Sequence, residues 1–597
     1  MQQKFETIIN KSCSTKIGDS YLYKAKKSER TGNLEEAIKA YKTAIKANPT
    51  LGWGYFLLGE LLSYYKSNTT ESMELYEKAL AFTPNSKLFY ERFQAVTQLS
   101  SSEMIAIQTW HNFINNRINN ISKANAQMLQ ESVDKNFIDK YIYGEPEIIK
   151  INANKVEQNS LGNRFSDKEK KHFFIFLRKI CTSDFSISLI QSILQTNNQL
   201  CHVPNPLGKG YAKCRESFFY SGRAHALRFV TPGGETFFII QQNTSANAIY
   251  FPTRSVIYMK GDVDKNSVLV DYLCNNFIDV LEYTLKSVNN QFGGILASNG
   301  RPYHFYHDLC LSLYFLYQKN LLSQIPAIYQ RAGENLFDLG KLFNIENCKY
   351  IDFHLMANKA KNDQEFYIEV GKERYSSPNY KTEHEQISNM IVNVASQTVD
   401  SQTIEEIKKA KECFPLLWFG VTGQKRAWLE QVEGGAKIIN ELANIYPNLG
   451  VVFDGWTSPE SAIEKDIAAA KQDQAVVDRI IKLLSPKINT FSVVGETTVN
   501  KLAWAKIINA FITNYGTGSI HVARFAKKPG VGHMSNQGLR HMRKQLIHYR
   551  TITIPEEQVK DYPNPKKRRV DFVNYSIAPE IILEKIKEVL KRECDFS

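Results

Sequence analysis

The run Phe511–Ala523, FITNYGTGSIHVA, passes from an apolar strand-like segment into a short turn rich in Gly, Thr and Ser. Gly516 and Gly518 allow positive φ angles and close backbone approach. Thr517 and Ser519 supply hydroxyls and N–H groups at a helix start, where the helix dipole favours an anion. The run therefore predicts a turn that can hold a phosphate, although an ordinary strand–turn–helix connection uses the same residue types.

Strand-like and helical segments alternate ahead of this turn. The predicted strands are Leu416–Gly420, Gly450–Asp454, Phe491–Val494 and Phe511–Thr513, and the predicted helices are Trp428–Tyr446, Ala462–Leu484 and Val499–Ala510. This alternation is typical of a parallel α/β sheet. Ligands bind at the carboxyl ends of the strands in such sheets, so we expect the polar turns that follow the strands to share one edge.

Polar turns follow three of these strands. In the first, Lys425 and Arg426 can neutralise a diphosphate. In the second, Glu496 can accept hydrogen bonds from ribose hydroxyls, and Thr497 can bind phosphate or cap the next helix. The third is the 514–519 turn. A solvated helix entry for the two cations, a surface carboxylate for Glu496 and a simple N-cap role for the threonine remain alternatives.

The order of the motifs LLWFGVTGQKRAW, GVVFDG, VVGETTVNKLAW and FITNYGTGSIHVARFAKKPGVG resembles the donor-binding half of GT-B glycosyltransferases, and especially their heptosyltransferase-like branch. The likeness covers roughly residues 410–535. Tyr515 stands where that branch usually has Asp, and one additional residue precedes His521. The positions that match the nucleotide-sugar site of the branch are Lys425, Thr497, Thr517, Ser519 and His521.

A second strand–turn–helix pattern lies earlier, where Gly293–Leu296 leads into the turn NGRP and a helical stretch to about Gln318. The GT-B resemblance implies that this half holds the acceptor and faces the donor. Because His titrates near neutrality, it is the commonest general base. We therefore predict His304 or Asp308 as the base and Arg301 as a contact of the donor diphosphate. Aromatic residues flank the histidine, so a purely structural role in the hydrophobic core remains an alternative.

The predicted site therefore has a catalytic part and a donor-binding part. The resemblance implies a nucleotide sugar as substrate, without a cofactor or a metal. The predicted catalytic residues are His304 and Asp308. The predicted donor-binding residues are Arg301, Lys425, Arg426, Glu496, Thr497, Asn514, Gly516, Thr517, Gly518, Ser519 and His521.

The N-terminal segment contains an internal repeat. Three residues recur 35 positions later, close to the spacing of tetratricopeptide repeats, which this segment resembles. The recurring pairs are Tyr41 and Tyr76, Ala44 and Ala79, and Pro49 and Pro84. The groove of the stacked repeats could recruit an acceptor or a partner protein. Alternatively, the helices could only extend the main domain.

Length and composition indicate a multidomain enzyme of the cytoplasm. The 597 residues exceed one hydrophobic core, and 43% hydrophobic with 23% charged residues is ordinary globular chemistry. No apolar run reaches the roughly 18 residues of a membrane span, and the first residues lack the pattern of a secretion signal. The nine cysteines form no C-x-x-C pair, so neither a disulfide framework nor a structural zinc site is expected.

The formal charge of +13 is best explained by a modest lysine excess on a solvated surface. The run 566–569, KKRR, resembles a nuclear import signal, but it also fits a basic loop or a peripheral contact with anionic lipid head groups. Nucleic-acid binding is not expected, because no reader motif accompanies the charge.

Together these patterns predict an α/β chain with two Rossmann-like domains in GT-B arrangement, preceded by an all-α tetratricopeptide-like region. The predicted domains are residues 1–119 (repeats), 120–400 (acceptor half) and 401–597 (donor half). The predicted function is metal-independent transfer of a sugar from a nucleotide sugar to a glycan or protein acceptor. Two alternatives remain: a repeat scaffold with a non-catalytic sugar-nucleotide-binding domain, or a metal-dependent GT-A transferase that uses Asp262 and Asp264.

Overall fold

The computed structural model describes most of the chain, which divides into two compact units. The first unit comprises residues 1–293 and 353–368, and the second comprises residues 294–352 and 369–597. The three domain limits drawn from the sequence stay a prediction. The described residues are 20–66, 69–83, 86–97, 147–150, 164–182, 184–196, 200–221, 224–242, 244–259, 290–371, 380–423, 425–542, 548–565 and 572–594, with a few single positions between them.

Packed helices occupy the start of the first unit. Residues 20–30 are helical, and four more helices follow: α1 (Leu34–Ala47), α2 (Gly52–Lys66), α3 (Thr69–Phe82) and α4 (Lys87–Thr97). The repeated tyrosines make equivalent bonds, because Tyr41 donates to Glu29 at 2.8 Å and Tyr76 to Glu60 at 2.6 Å. The helices lie where the repeat predicts them, and the assignment to tetratricopeptide repeats stays a prediction. Pro84 lies outside the described residues.

Farther along the chain the first unit contains a seven-stranded, mostly antiparallel sheet, in the order β1-β7-β6-β5-β4-β3-β2. Inside it, Arg228 makes two hydrogen bonds to the carboxylate of Glu216, at 2.5 and 2.6 Å, and both side chains are buried. The elements are β1 (Glu147–Lys150), α5 (Asp167–Ile180), α6 (Phe185–Leu194), β2 (His202–Pro204), β3 (Tyr211–Ser221), β4 (Ala224–Val230), β5 (Thr236–Gln241), β6 (Ala248–Phe251) and β7 (Val256–Met259).

A smaller sheet has the order β10-β9-β8-β11, and β8, β9 and β10 run parallel. Gly294 lies in β8 with φ +133°, and a Cβ there would lie 2.1 Å from the carbonyl oxygen of Ala327, so only glycine fits. The elements are β8 (Gln291–Leu296), a π-helical segment (His304–Leu309), α7 (Cys310–Gln318), β9 (Ile328–Gln330), α8 (Leu339–Phe343), β10 (Cys348–Tyr350), α9 (Phe353–Asn362) and β11 (Glu365–Glu369).

The second unit also contains a six-stranded parallel sheet in the order β14-β13-β12-β15-β16-β17. Counted along the chain this is the doubly wound order 3-2-1-4-5-6. Apolar clusters cover both faces, which explains the continuous apolar runs of its strands. The elements are α10 (Lys381–Thr398), α11 (Ser401–Ala410), β12 (Leu416–Gly420), α12 (Glu433–Ile445), β13 (Gly450–Asp454), α13 (Glu464–Ile481), β14 (Asn489–Ser492), α14 (Thr498–Ile507), β15 (Ala510–Asn514), a π-helical segment (Ile520–Phe525), β16 (Gly530–His533), α15 (Asn536–Met542), β17 (Thr551–Thr553), β18 (Lys560–Tyr562), β19 (Asn574–Ser576) and α16 (Pro579–Cys594).

The predicted α/β fold class, with an N-terminal helical region and Rossmann-like sheets, is confirmed, although a mostly antiparallel sheet lies between them in the chain. The strands Leu416–Gly420 and Gly450–Asp454 have the predicted limits. The helix predicted from Trp428 begins only at Glu433. The difference has a tertiary cause, because the indole N–H of Trp428 donates to the carbonyl of Ile577 at 2.9 Å and holds this segment against the C-terminal part of the chain.

In the part of the chain that the structure describes, none of the helices combines the length and the apolar character that a bilayer crossing needs.

We expect Glu216→Gln to lower the free energy of unfolding by about 3–5 kcal/mol, because it leaves the Arg228 guanidinium buried without its carboxylate. Urea unfolding followed by circular dichroism measures the change. Glu405→Gln is the matched control, since Glu405 pairs with Lys408 at 2.6 Å on the surface and its loss should not change the midpoint. Equal midpoints for both variants would contradict the prediction.

Candidate functional site

A cavity opens at the carboxyl edge of the six-stranded sheet, where β12 and β15 are neighbours. The strand order reverses at this point, and such reversals are where doubly wound sheets bind ligands. The space between its walls, open solvent included, is ≈ 830 Å³. Its walls come from the loops after β12, β13 and β15, together with Gly300, Pro302 and Leu336 from the part of the second unit that precedes this sheet.

Lys425 and Arg426 lie on the wall of this cavity, in the loop after β12. The side-chain amide of Gln431 holds the start of this loop, since it accepts from the N–H of Thr422 at 3.2 Å and donates to its carbonyl at 3.0 Å. Arg426 has φ +55°, and Asn514 donates to its carbonyl at 3.1 Å. The loop therefore presents two half-buried cations from a backbone that is fixed at both ends.

The 514–519 turn forms a second wall. Asn514, Thr517 and Gly518 line the cavity, and their predicted role in donor binding stays a prediction. Ser519 is fully buried, and its hydroxyl donates to the carbonyl of Gly516 at 2.9 Å, so it stabilises the turn from inside. The predicted phosphate turn and the predicted cations thus border the same space.

His521 lies in the interior behind this turn. Its Nε2 is 3.5 Å from the Thr498 hydroxyl, which in turn lies 2.5 Å from the hydroxyl of Tyr306. Burial, with a smaller contribution from Lys501, holds the pKa of His521 well below its ordinary value, so the imidazole is neutral. His521 does not occur among the described residues that line the cavity.

Glu496 and Thr497 lie just before α14. The Glu496 carboxylate accepts from the side-chain amide of Asn500 at 2.7 Å, and the Thr497 side chain makes no capping hydrogen bond although it occupies the N-cap position. Neither residue belongs to the cavity wall as far as the chain is described. Their predicted roles in donor binding stay predictions.

His304 and Asp308 form a hydrogen-bonded pair in the π-helical segment His304–Leu309. The distance from His304 Nδ1 to Asp308 Oδ2 is 2.6 Å, and the side chains are 20% and 3% exposed. A carboxylate on Nδ1 fixes the orientation and the tautomer of the ring. Arg301 is exposed, and its backbone N–H donates to the Asn299 side chain at 3.1 Å. The structure thus joins the two predicted catalytic residues to each other.

Two charged groups at the site were missed by sequence reasoning. Lys501, fully buried in α14, donates to the carboxylate of Asp454 at 2.5 Å and to the carbonyls of Gly455 and Trp456 at 2.9 Å each. Asp454 ends β13 and lines the cavity, and burial raises its pKa although Lys501 opposes the shift. A charged residue within a helix usually faces solvent, so the local sequence carried no signal for this pair.

A third missed residue is Asp473 in α13, which is buried in the cavity wall. Its Oδ1 accepts from the N–H of Gly423 at 2.6 Å. Burial raises the pKa of Asp473, and hydrogen bonds from the backbone of Gly423 and Trp456 oppose the rise. The carboxylate therefore touches the loops that follow both β12 and β13.

Asp262 and Asp264, and the KKRR run at 566–569, fall outside the described residues. Within the described ranges, no group of three His, Cys, Asp or Glu side chains could hold a metal ion.

The chain is similar to solved glycosyltransferase structures. The ADP-heptose LPS heptosyltransferase II of E. coli is 10% identical over 50% of this chain and 98% of its own, with a TM-score of 0.29. A mutant O-GlcNAc transferase of Thermobaculum terrenum is 11% identical over 97% of this chain and 93% of its own, with a TM-score of 0.18. No protein-family model and no curated protein sequence matches the chain.

We expect Lys501→Met to make stability fall as pH rises, because the variant leaves Asp454 buried without its cation. Burial already raises the native pKa of Asp454, and loss of Lys501 raises it further. Above about pH 4 the native state then keeps a proton that the unfolded state releases, so the free energy of unfolding falls by up to about 1.4 kcal/mol per pH unit until the native pKa is reached.

Urea unfolding at about pH 4.5 and about pH 7.5 measures this slope against the parent protein. In the double variant Lys501→Met, Asp454→Asn the added slope should disappear, because no buried carboxyl remains at that position. An equal slope in the parent and the single variant would show that Lys501 does not balance Asp454.

Proposed function

We propose that the protein transfers a glycosyl group from a nucleotide sugar to a hydroxyl of a glycan or protein acceptor, without a metal. The observation that carries the proposal is the cavity at the strand-order reversal, with Lys425 and Arg426 on one wall and the 514–519 turn on another. A diphosphate needs cations and N–H dipoles, and both kinds of group border this one space.

The charges of the wall support a role in catalysis as well as in binding. As the bond between sugar and phosphate breaks, negative charge grows on the diphosphate leaving group. Fixed cations and dipoles stabilise such charge most when they do not have to reorganise. The anchors of the loop after β12, Gln431 at Thr422 and Asn514 at Arg426, give this pre-organisation.

The His304–Asp308 pair is the proposed general base. Because Asp308 accepts from Nδ1, the other ring nitrogen can take the proton of an acceptor hydroxyl. The pair follows Gly300 and Pro302 in the chain by only a few residues, and those two line the cavity. The base and the leaving-group site therefore belong to neighbouring parts of one unit.

Lys425→Ala should raise the donor KM and lower kcat, with kcat/KM down about 100-fold, because the lysine would meet the diphosphate before and during bond cleavage. The donor is the nucleotide sugar that gives the largest thermal shift in a panel, and release of nucleoside diphosphate is the assay. Lys408→Ala, at an exposed position in α11, should leave both constants unchanged. Donor binding without turnover in the parent protein would favour the non-catalytic scaffold. Unchanged kinetics in Lys425→Ala would exclude Lys425 as a contact of the diphosphate.

His304→Ala should lower kcat about 100-fold and leave donor binding unchanged, because a general base acts on the acceptor and not on the diphosphate. Steady-state kinetics gives kcat, and isothermal titration calorimetry gives the donor Kd. His172→Ala, on α5 of the first unit, is the matched histidine control and should behave as the parent. A His304→Ala variant with normal kcat would exclude the residue as the base.

A further inference from the structure

Asp473 joins two loops of the cavity through backbone hydrogen bonds. Its Oδ1 accepts the N–H of Gly423 at 2.6 Å, and its carboxylate also accepts from the backbone of Trp456. Gly423 belongs to the loop after β12, and Trp456 to the loop after β13. The side chain comes from α13, so a single carboxylate ties three elements together.

Glycines in both loops allow the close approach to Asp473. A Cβ on Gly455 would lie 2.7 Å from the Cβ of Asp473, which is closer than real Cβ contacts allow. A Cβ on Gly423 would lie 3.0 Å from the carbonyl of Gln472 and 3.2 Å from Asp473 Oδ1. Glycine at both positions lets the loops approach α13 closely enough for their N–H groups to reach the carboxylate.

The hydrogen bond from Gly423 to Asp473 fixes the backbone of the loop just before Lys425. Farther along, the side chain of Asn514 holds the carbonyl of Arg426, and the side chain of Asn574 accepts from the N–H of Ala427 at 3.0 Å. The backbone on both sides of Lys425 is therefore tied to other elements. A shift of about 1 Å in such a positioning segment can cost about a hundredfold in rate.

Asp473 is an acidic side chain in the wall of a cavity that is proposed to bind an anion. Burial raises the pKa of Asp473, and two backbone N–H groups stabilise its charged form. These bonds direct the carboxylate toward the loops. Its chemistry is that of a support for the loops and not that of a group that binds a phosphate.

We propose that Asp473 is a positioning residue for the donor diphosphate, which acts by holding the loop that carries Lys425. This inference rests on the proposed function, because it takes a nucleoside diphosphate as the ligand of the cavity. Asp473 would set the affinity for the ligand through the position of the loop and not through a bond of its own to the ligand.

The test is isothermal titration of the full chain with UDP, ADP and GDP in turn. Asp473→Asn should weaken the Kd of the nucleotide that binds the parent by about tenfold, because the amide offers an N–H₂ group where one of the two backbone donors requires an acceptor. Asp478→Asn is the matched control on the same helix. Asp478 is exposed and accepts from Gln474 at 2.8 Å, and its variant should bind as the parent does.

A double-mutant cycle separates positioning from general damage to the fold. If Asp473 acts through Lys425, Asp473→Asn should weaken binding much less in the Lys425→Ala background than in the parent. Additive losses would overturn the proposal. Gly455→Ala supplies a second variant if Asp473→Asn does not fold, since it displaces the carboxylate without removing it, and normal binding by a folded Gly455→Ala protein would also overturn the proposal.

The two hypotheses fail in different ways. If none of the three nucleotides binds the parent protein, the proposed function fails. If the parent binds one and Lys425→Ala weakens it, while folded Asp473→Asn binds as the parent does, only the role of Asp473 is excluded. A lower melting temperature with an unchanged Kd would assign Asp473 to stability alone.

Discussion

The buried ammonium of Lys501 is the interaction on which the cavity most depends. A charge removed from water costs several kcal/mol unless the protein replaces its hydration. Here one carboxylate and two carbonyls, those of Asp454, Gly455 and Trp456, surround the ammonium. Because these acceptors are consecutive in the chain, the lysine fixes the direction in which the chain leaves β13. This path of the chain places Trp456 in the cavity wall.

A second buried cation connects three helical segments of the second unit. Arg524 lies in the π-helical segment Ile520–Phe525 and donates to the carbonyl of Tyr306 at 3.3 Å and to the hydroxyl of Ser388 at 3.1 Å. Tyr306 lies in the other π-helical segment, which also carries His304 and Asp308. Burial lowers the pKa of Arg524 to about 10, so the group stays protonated at neutral pH.

Both π-helical segments therefore meet at one buried contact. A π-turn widens the helix and frees backbone groups, and such turns are frequent at functional sites. In this protein the carbonyl of Tyr306 receives a charged donor from the opposite segment. The segment that carries the proposed base is thus bonded to the segment that directly follows the 514–519 turn.

The sequence predicted four of the six strands of the parallel sheet, because strands covered on both faces appear as continuous apolar runs such as LLWFG and GVVFD. Five of the predicted donor-binding residues line the cavity, since polar turns at strand ends share one edge, and their role in donor binding stays a prediction: Lys425, Arg426, Asn514, Thr517 and Gly518. What it missed depends on contacts between distant positions. Lys501 is 47 residues from Asp454, and Asp473 is 50 residues from Gly423, so no local pattern reveals either pair.

The replacement of the usual Asp by Tyr515 can be understood from the packing of the turn. The Tyr515 ring lies 4.0 Å from the ring of His548 and packs against Met534 and Leu539. Its N–H donates to the carbonyl of His533 at 2.9 Å, so the start of the turn is anchored to the neighbouring strand. An aromatic anchor adds no negative charge beside the 514–519 turn.

The acidic groups that do line the cavity are both engaged by protein donors. Asp454 is paired with Lys501, and Asp473 accepts from backbone N–H groups. Lys425 and Arg426 add two positive charges to the same wall. Tyr515 adds no further carboxylate, so the balance of charge around the cavity favours an anion. This balance supports the proposed diphosphate ligand.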